Sequence, residues 1–156
     1  MSTSSGASTT GTLTATSVQK VTLVISVIFL VVGIAGFIPG ITTNYDQLLL
    51  AGHESEALLL GVFQVSILHN LVHLLYGVVG IVLARTAIGA RNYLIWGGVI
   101  YLVLWLYGLF IDQESAVNFV PLNSADSWLH LVLGLGMVVL GVVFGRTRAT
   151  ATSDTL

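Results

Sequence analysis

The sequence predicts an all-α integral membrane protein, a four-helix bundle with both termini on the cytoplasmic side (N-in/C-in). Three observations predict it. Of the 156 residues, 55% are hydrophobic and only 8% charged, and the mean hydropathy is +0.96, a balance that belongs to bilayer-embedded chains rather than water-soluble domains. Four apolar stretches, 18–38, 57–84, 92–111 and 127–145, are each long enough to cross a hydrocarbon core of about 30 Å, which takes roughly 20 helical residues. All five basic residues (Lys20, Arg85, Arg91, Arg146 and Arg148) fall at the start of the first stretch, between the second and third, or after the fourth. The positive-inside rule assigns those three places to the cytoplasm.

Taken in order, residues 1–17 (MSTSSGASTTGTLTATS) are polar, uncharged and nearly without apolar side chains to bury, so a disordered tail is expected there. The tail is not read as a targeting peptide, because it lacks a basic n-region and the apolar run after it is longer than a signal h-region. Pro39-Gly40 is expected to close the first helix, since proline removes a backbone donor and disfavours helix at the preceding residue. The second stretch is longer than a span needs, and tilting or protrusion is expected. A short connection, RTAIGAR, leads to the third. Asp126 is the expected N-cap of the fourth, its carboxylate accepting from the free N–H groups of the first turn. Residues 146–156 would form a second cytoplasmic tail. The two longer loops, 39–56 and 112–126, hold six of the seven acids: Asp46, Glu54, Glu56, Asp112, Glu114 and Asp126.

Composition also excludes several functions. Cysteine is absent, which rules out disulfides, thiolate metal sites, iron–sulfur clusters and covalent c-type haem, and leaves histidine as the strong metal-binding side chain in the apolar segments. With a net charge of −2 and its basic residues scattered over segment ends, the chain has no electrostatic footprint for nucleic acid. No phosphate loop, nucleophile–base pair or carboxylate dyad appears, so nothing points to an enzyme.

The second stretch carries Ser66, His69, Asn70, His73, Gly77 and Gly80 at three- and four-residue steps, which put them on one helical face. Lipid-facing polar groups are costly, so this face is expected to point inward, with the glycines admitting a neighbour closely. The fourth stretch repeats the pattern with His130, Gly134, Met137, Gly141 and Gly145. His69 and His130 each precede their boundary arginine, Arg85 or Arg146, by 16 residues. At about 1.5 Å per residue both lie roughly 24 Å above the inner boundary, at one depth in the outer leaflet. The shared Ser66/Ser127, His69/His130 and Arg85/Arg146 register suggests a duplicated helical hairpin.

The stretches PGITTNYDQLLLAGHESEALLLGVFQVSILHNLVHLLYGVVGIVLAR, YLIWGGVIYLVLWLYGLFID and NFVPLNSADSWLHLVLGLGM resemble the bacterial membrane family called domain of unknown function 4383, over roughly Val18 to Gly145. The resemblance implies a four-helix architecture in a bacterial inner membrane. It assigns no activity, substrate or cofactor.

Three functional readings remain. In the first, Ser66, His69, Asn70, His73 and His130 form an interhelical hydrogen-bond layer in a structural or partner-binding membrane component, each bond contributing about 0.6–2 kcal/mol. Its partners would be the lipid bilayer and further copies or other membrane proteins. In the second, His69 and His73 share a metal, or His69 and His130 hold a haem or meet a quinone. The third is a small transporter or a proton relay through the three histidines, set against the absence of any Asp, Glu, Lys or Arg within the membrane core. In the outer loop, Tyr45, Asp46, His53, Glu54 and Glu56 form a solvated surface with a cation site as the alternative. Tyr93 and Trp128 sit at segment ends, where an aromatic belt is expected.

Overall fold

The computed structural model describes residues 13–146; of the tails expected over 1–17 and 146–156, residues 1–12 and 147–156 lie outside the described residues. Four helices dominate: α1 (Ser17–Ala35), α2 (Ile67–Leu83), α3 (Ala87–Phe110) and α4 (Ser124–Phe144). Between α1 and α2 lie three two-residue strands, β1 (Thr42–Thr43), β2 (Leu58–Leu59) and β3 (Phe63–Gln64), paired antiparallel in that order. By length and hydropathy α1, α3 and α4 are each able to cross a membrane, whereas α2 is a shorter apolar helix of 17 residues.

Side-chain caps, more than hydropathy, set the helix ends. Thr16 and Gln19 form a capping box at α1, so the helix begins inside the segment expected to be a tail. At its other end α1 stops at Ala35, ahead of Pro39, and its last carbonyls are taken up by tighter turns: Phe37 N–H to Ile34, Ile38 N–H to Ala35, and the Thr42 hydroxyl to Ala35 at 3.1 Å. Thr86 Oγ1 accepts from Gly89 N–H at 3.0 Å, which starts α3 at Ala87 rather than at residue 92. For α4 the N-cap is Asn123. Asp126, the expected cap, is instead the reciprocal N3 partner of a capping box.

The largest departure lies in the second apolar stretch, which is not one helix from 57 to 84. Leu60 (φ 54°) and Gly61 (φ 71°) both adopt left-handed backbone, reversing the chain between β2 and β3. Helix begins only after Ser66, whose hydroxyl accepts from His69 N–H at 3.1 Å. Hydropathy counts apolar residues without sensing the direction of the backbone, and so ran the strands and the helix together.

α1 packs along α2 and α3 along α4, far more extensively than either pair meets the other. Glycines permit the close approach. A Cβ at Gly77 would stand 2.7 Å from the Ser26 carbonyl of α1, and one at Gly36 or Gly80 would collide with the side chains of Asn70 or Ser26. In the second hairpin, Cβ atoms at Gly98, Gly134 and Gly141 would press on Gly134, Leu102 and Ile95. The small-residue faces of α2 and α4 therefore each seat their own hairpin partner rather than each other. Gly145 caps α4 beside Arg91.

The hairpins are tied together at their basic end, where Lys20, Arg85, Arg91 and Arg146 occupy the ends of the four helices. The tie is the Thr22 hydroxyl of α1, which donates to the Ala90 carbonyl of α3 at 3.2 Å; within the first hairpin, Gln19 Nε2 donates to the Ala84 carbonyl at the end of α2 at 2.9 Å. Between them and the opposite end lies an aromatic core of Phe29, Tyr76, Tyr93 and Tyr101. Tyr93, expected in an interfacial belt, is buried here with its hydroxyl donating to the Tyr76 carbonyl at 3.2 Å, whereas Trp128 is exposed.

Gly98 offers a direct test of this packing. A Cβ there would lie 2.7 Å from the Gly134 carbonyl oxygen and 2.9 Å from Val138 N, both backbone atoms, while a Cβ at Gly136 meets nothing within 4 Å. Gly98→Ala is expected to cost about 1–3 kcal/mol by overpacking and to lower the unfolding temperature in mild detergent, with Gly136→Ala unchanged or slightly more stable.

Candidate functional site

Toward the acidic end the histidines line crevices between the hairpins. Ser66 starts α2 one turn before His69, so the ring of His69, then that of His73 one turn further on, faces α4, which brings His130 to the same layer. The His69 and His73 rings lie 4.6 Å apart between centroids, and His130 meets Tyr101 edge-on at 4.9 Å. Phe29 of α1 stacks on His73 at 5.9 Å. His69 and His130 are each only 4% exposed.

Two crevices flank this layer. One, of about 260 Å³, opens between α2 and α3 and is walled by Val72, Leu104, Phe119 and Leu122. The other, of about 180 Å³, opens between α1 and α4 and is walled by Ile28, Phe29, Phe63 and Leu133. His69, His73 and His130 line both.

The expected hydrogen-bond layer takes a different form. Nδ1 of His69, of His73 and of His130, and both amide atoms of Asn70, are buried without a hydrogen-bond partner. Ser66 is spent on capping, and the Asn70 amide is wedged against Gly36 on the α1 side, away from the histidines. What converges is a group of three imidazoles whose Nδ1 atoms have no partner, in apolar surroundings. Leaving a buried polar atom unpaired costs about 1–3 kcal/mol, so an arrangement of this kind calls for a role. Among the described residues no three His, Asp or Glu side chains stand close enough to hold a metal ion, in the histidine layer or in the loop of Tyr45, Asp46, His53, Glu54 and Glu56.

A clamp closes the acidic end above the crevices. Asp126, 3% exposed, accepts through Oδ2 from Gln64 N–H of β3 at 2.9 Å and from Asn123 N–H at 3.1 Å. Asn123 Nδ2 donates to the Val62 carbonyl at 2.8 Å. The loops also meet where Gly52 N–H donates to the Phe119 carbonyl at 2.7 Å, and Asn118 pins the second loop through Gln113 and Leu122. The backbone of Gln64 and of Pro121, one from each loop, lies within hydrogen-bonding reach of the His69 ring.

Several contributors were not singled out from the sequence. Gln19, Thr22 and Ser26 form a buried polar face on α1, and their three- and four-residue spacing in an otherwise apolar helix was the available signal. For Asn123 the signal was the N-x-x-D capping pattern with Asp126.

The clamp makes a clear prediction. Asp126→Ala strands the N–H groups of Gln64 and Asn123, so a loss of about 1–3 kcal/mol is expected, read as a lower unfolding temperature in detergent. Asp126→Asn, which retains an acceptor oxygen, is expected to lose less.

The sequence profile described as "Domain of unknown function (DUF4383)" matches residues 19–143. No curated protein and no solved structure matches the chain.

Proposed function

The chain belongs to the DUF4383 family of domains of unknown function, and from that premise we propose a four-span protein of the bacterial cytoplasmic membrane, both termini inside, whose histidine layer binds a small lipid-soluble molecule. The observation that carries this reading is the convergence of three imidazoles with unpaired Nδ1 atoms on two apolar crevices.

The chemistry of the walls selects the ligand class. A neutral imidazole donates through one nitrogen and accepts through the other; with the Pro121 backbone, which has only a carbonyl to offer, in reach of the His69 ring, the unpaired His69 Nδ1 is left as an acceptor, so a hydroxyl placed between His69 and His130 would relieve the cost of their unpaired atoms. Charge is disfavoured, because the one carboxylate in the walls, Asp126, already accepts two backbone N–H groups. Each crevice is smaller than the roughly 300–1,000 Å³ of ordinary small-molecule pockets, which suits a slender apolar body with a compact polar head. Entry is sideways from lipid, since Ile28, Val103 and Phe119 in the walls keep exposed outer faces.

A decyl-substituted hydroquinone, kept reduced, serves as the probe. Titrated into detergent-solubilised protein it should raise the unfolding temperature more than decane, which lacks a polar head. His69→Ala and His130→Ala should each weaken its binding about tenfold, the equivalent of about 1.4 kcal/mol. Equal stabilisation by decane, or undiminished binding in the double variant, would remove the proposal. A Soret band in purified protein that both substitutions abolish would assign haem instead.

Orientation is tested separately. In intact cells a cysteine replacing Ser115 should react with an impermeant thiol reagent while one replacing Thr86 stays unlabelled. The absence of native cysteine makes each label unique, and the reverse pattern sinks the N-in assignment.

A further inference from the structure

The segment Ala57 to Val65 reads as an extramembrane loop from its strands, yet its chemistry is that of a membrane surface. Residues 57–84 contain no charge, while helix covers only Ile67–Leu83. At about 1.5 Å per residue α2 spans roughly 25 Å, short of a hydrocarbon core of about 30 Å. The strands before it are placed to fill the difference.

Two observations set their depth. Leu60, at the tip of the β2–β3 turn, walls the same crevice as Ile28, and Ile28 lies seven residues inside the end of α1 at Ala35, roughly 10 Å down a helix. Ala57, Leu59 and Val65 pack against Val32 and Ala35 of the same helix. The hairpin thus hangs along the flank of α1 rather than standing above it. Its outward side chains are Leu60, 67% exposed, and Val62, 48% exposed.

Backbone pairing fits that position. Non-helical backbone is tolerated at membrane depth only where protein satisfies its polar groups. Leu60 N–H donates to Ile41, Gly61 N–H to Leu58, Val62 N–H to Leu59 and Val65 N–H to Ala57. Asp126 takes Gln64 N–H and Asn123 serves the Val62 carbonyl. These two side chains supply the bonds that water would give an ordinary loop.

We infer that the β2–turn–β3 hairpin is a lipid-contacting surface, set into the hydrocarbon of the leaflet at the acidic end of the molecule with Leu60 and Val62 against acyl chains. The occupant of this face is the bilayer itself, continuous with the exposed apolar flank of α1.

The test uses full-length protein in phosphatidylcholine vesicles, spin-labelled at single cysteines. Leu60→Cys and Val62→Cys should be relaxed several-fold more by oxygen than by a water-soluble nickel chelate, with Ser115→Cys showing the opposite preference. Nickel accessibility at both hairpin positions equal to that of Ser115→Cys overturns the inference, and shielding from both reagents also overturns it by placing protein there. Val31→Cys, exposed on α1, is the control: nickel accessibility at that position would mean that the spanning assignment itself fails.

Discussion

Backbone N–H and C=O groups that cannot reach water must be paired by the protein, and this constraint organises the acidic end of the molecule. α-Helices meet it internally except at their ends. The β2–β3 turn and the start of α4 do not, and there the structure commits its most buried acid. Asp126 accepts from Gln64 N–H and Asn123 N–H together, so one carboxylate satisfies a strand edge and a helix start while joining two hairpins. An acid at this place is therefore the counterpart of a non-helical segment.

Glycine packing has the complementary effect. Gly36, Gly77 and Gly80 in the first hairpin and Gly98, Gly134 and Gly141 in the second bring backbones into contact, making each hairpin a close-packed unit. The hairpins meet each other through the Thr22–Ala90 tie at the basic end and the loop clamp at the acidic end. Aromatic rings fill the middle, and the histidine layer occupies what is left. Two crevices sharing one set of imidazoles follow from joining rigid pairs at their ends.

How much was legible in the sequence varied with the range of the interaction. Helix number followed from hydropathy, and the apolar faces from three- and four-residue spacing. The strands within 57–66 did not, because Leu60 and Gly61 reverse the chain through backbone dihedrals that an apolar composition conceals. Nor did the fate of Asn70, which shares a helical face with the histidines yet is turned against Gly36 of α1. Position on a face says which way a side chain leans, and the neighbour decides what it touches.

By itself the sequence determined that this is an apolar, four-helix chain of the DUF4383 family with its basic residues at one set of helix ends, because composition and periodicity act residue by residue along the chain. Only the tertiary structure decided that α1 pairs with α2 and α3 with α4, that Asp126 belongs to a strand edge 62 residues away, and that three imidazoles converge with their Nδ1 atoms unpaired. Those outcomes depend on which surfaces can approach within hydrogen-bonding or van der Waals distance. That is a property of packed volumes, and no local pattern encodes it.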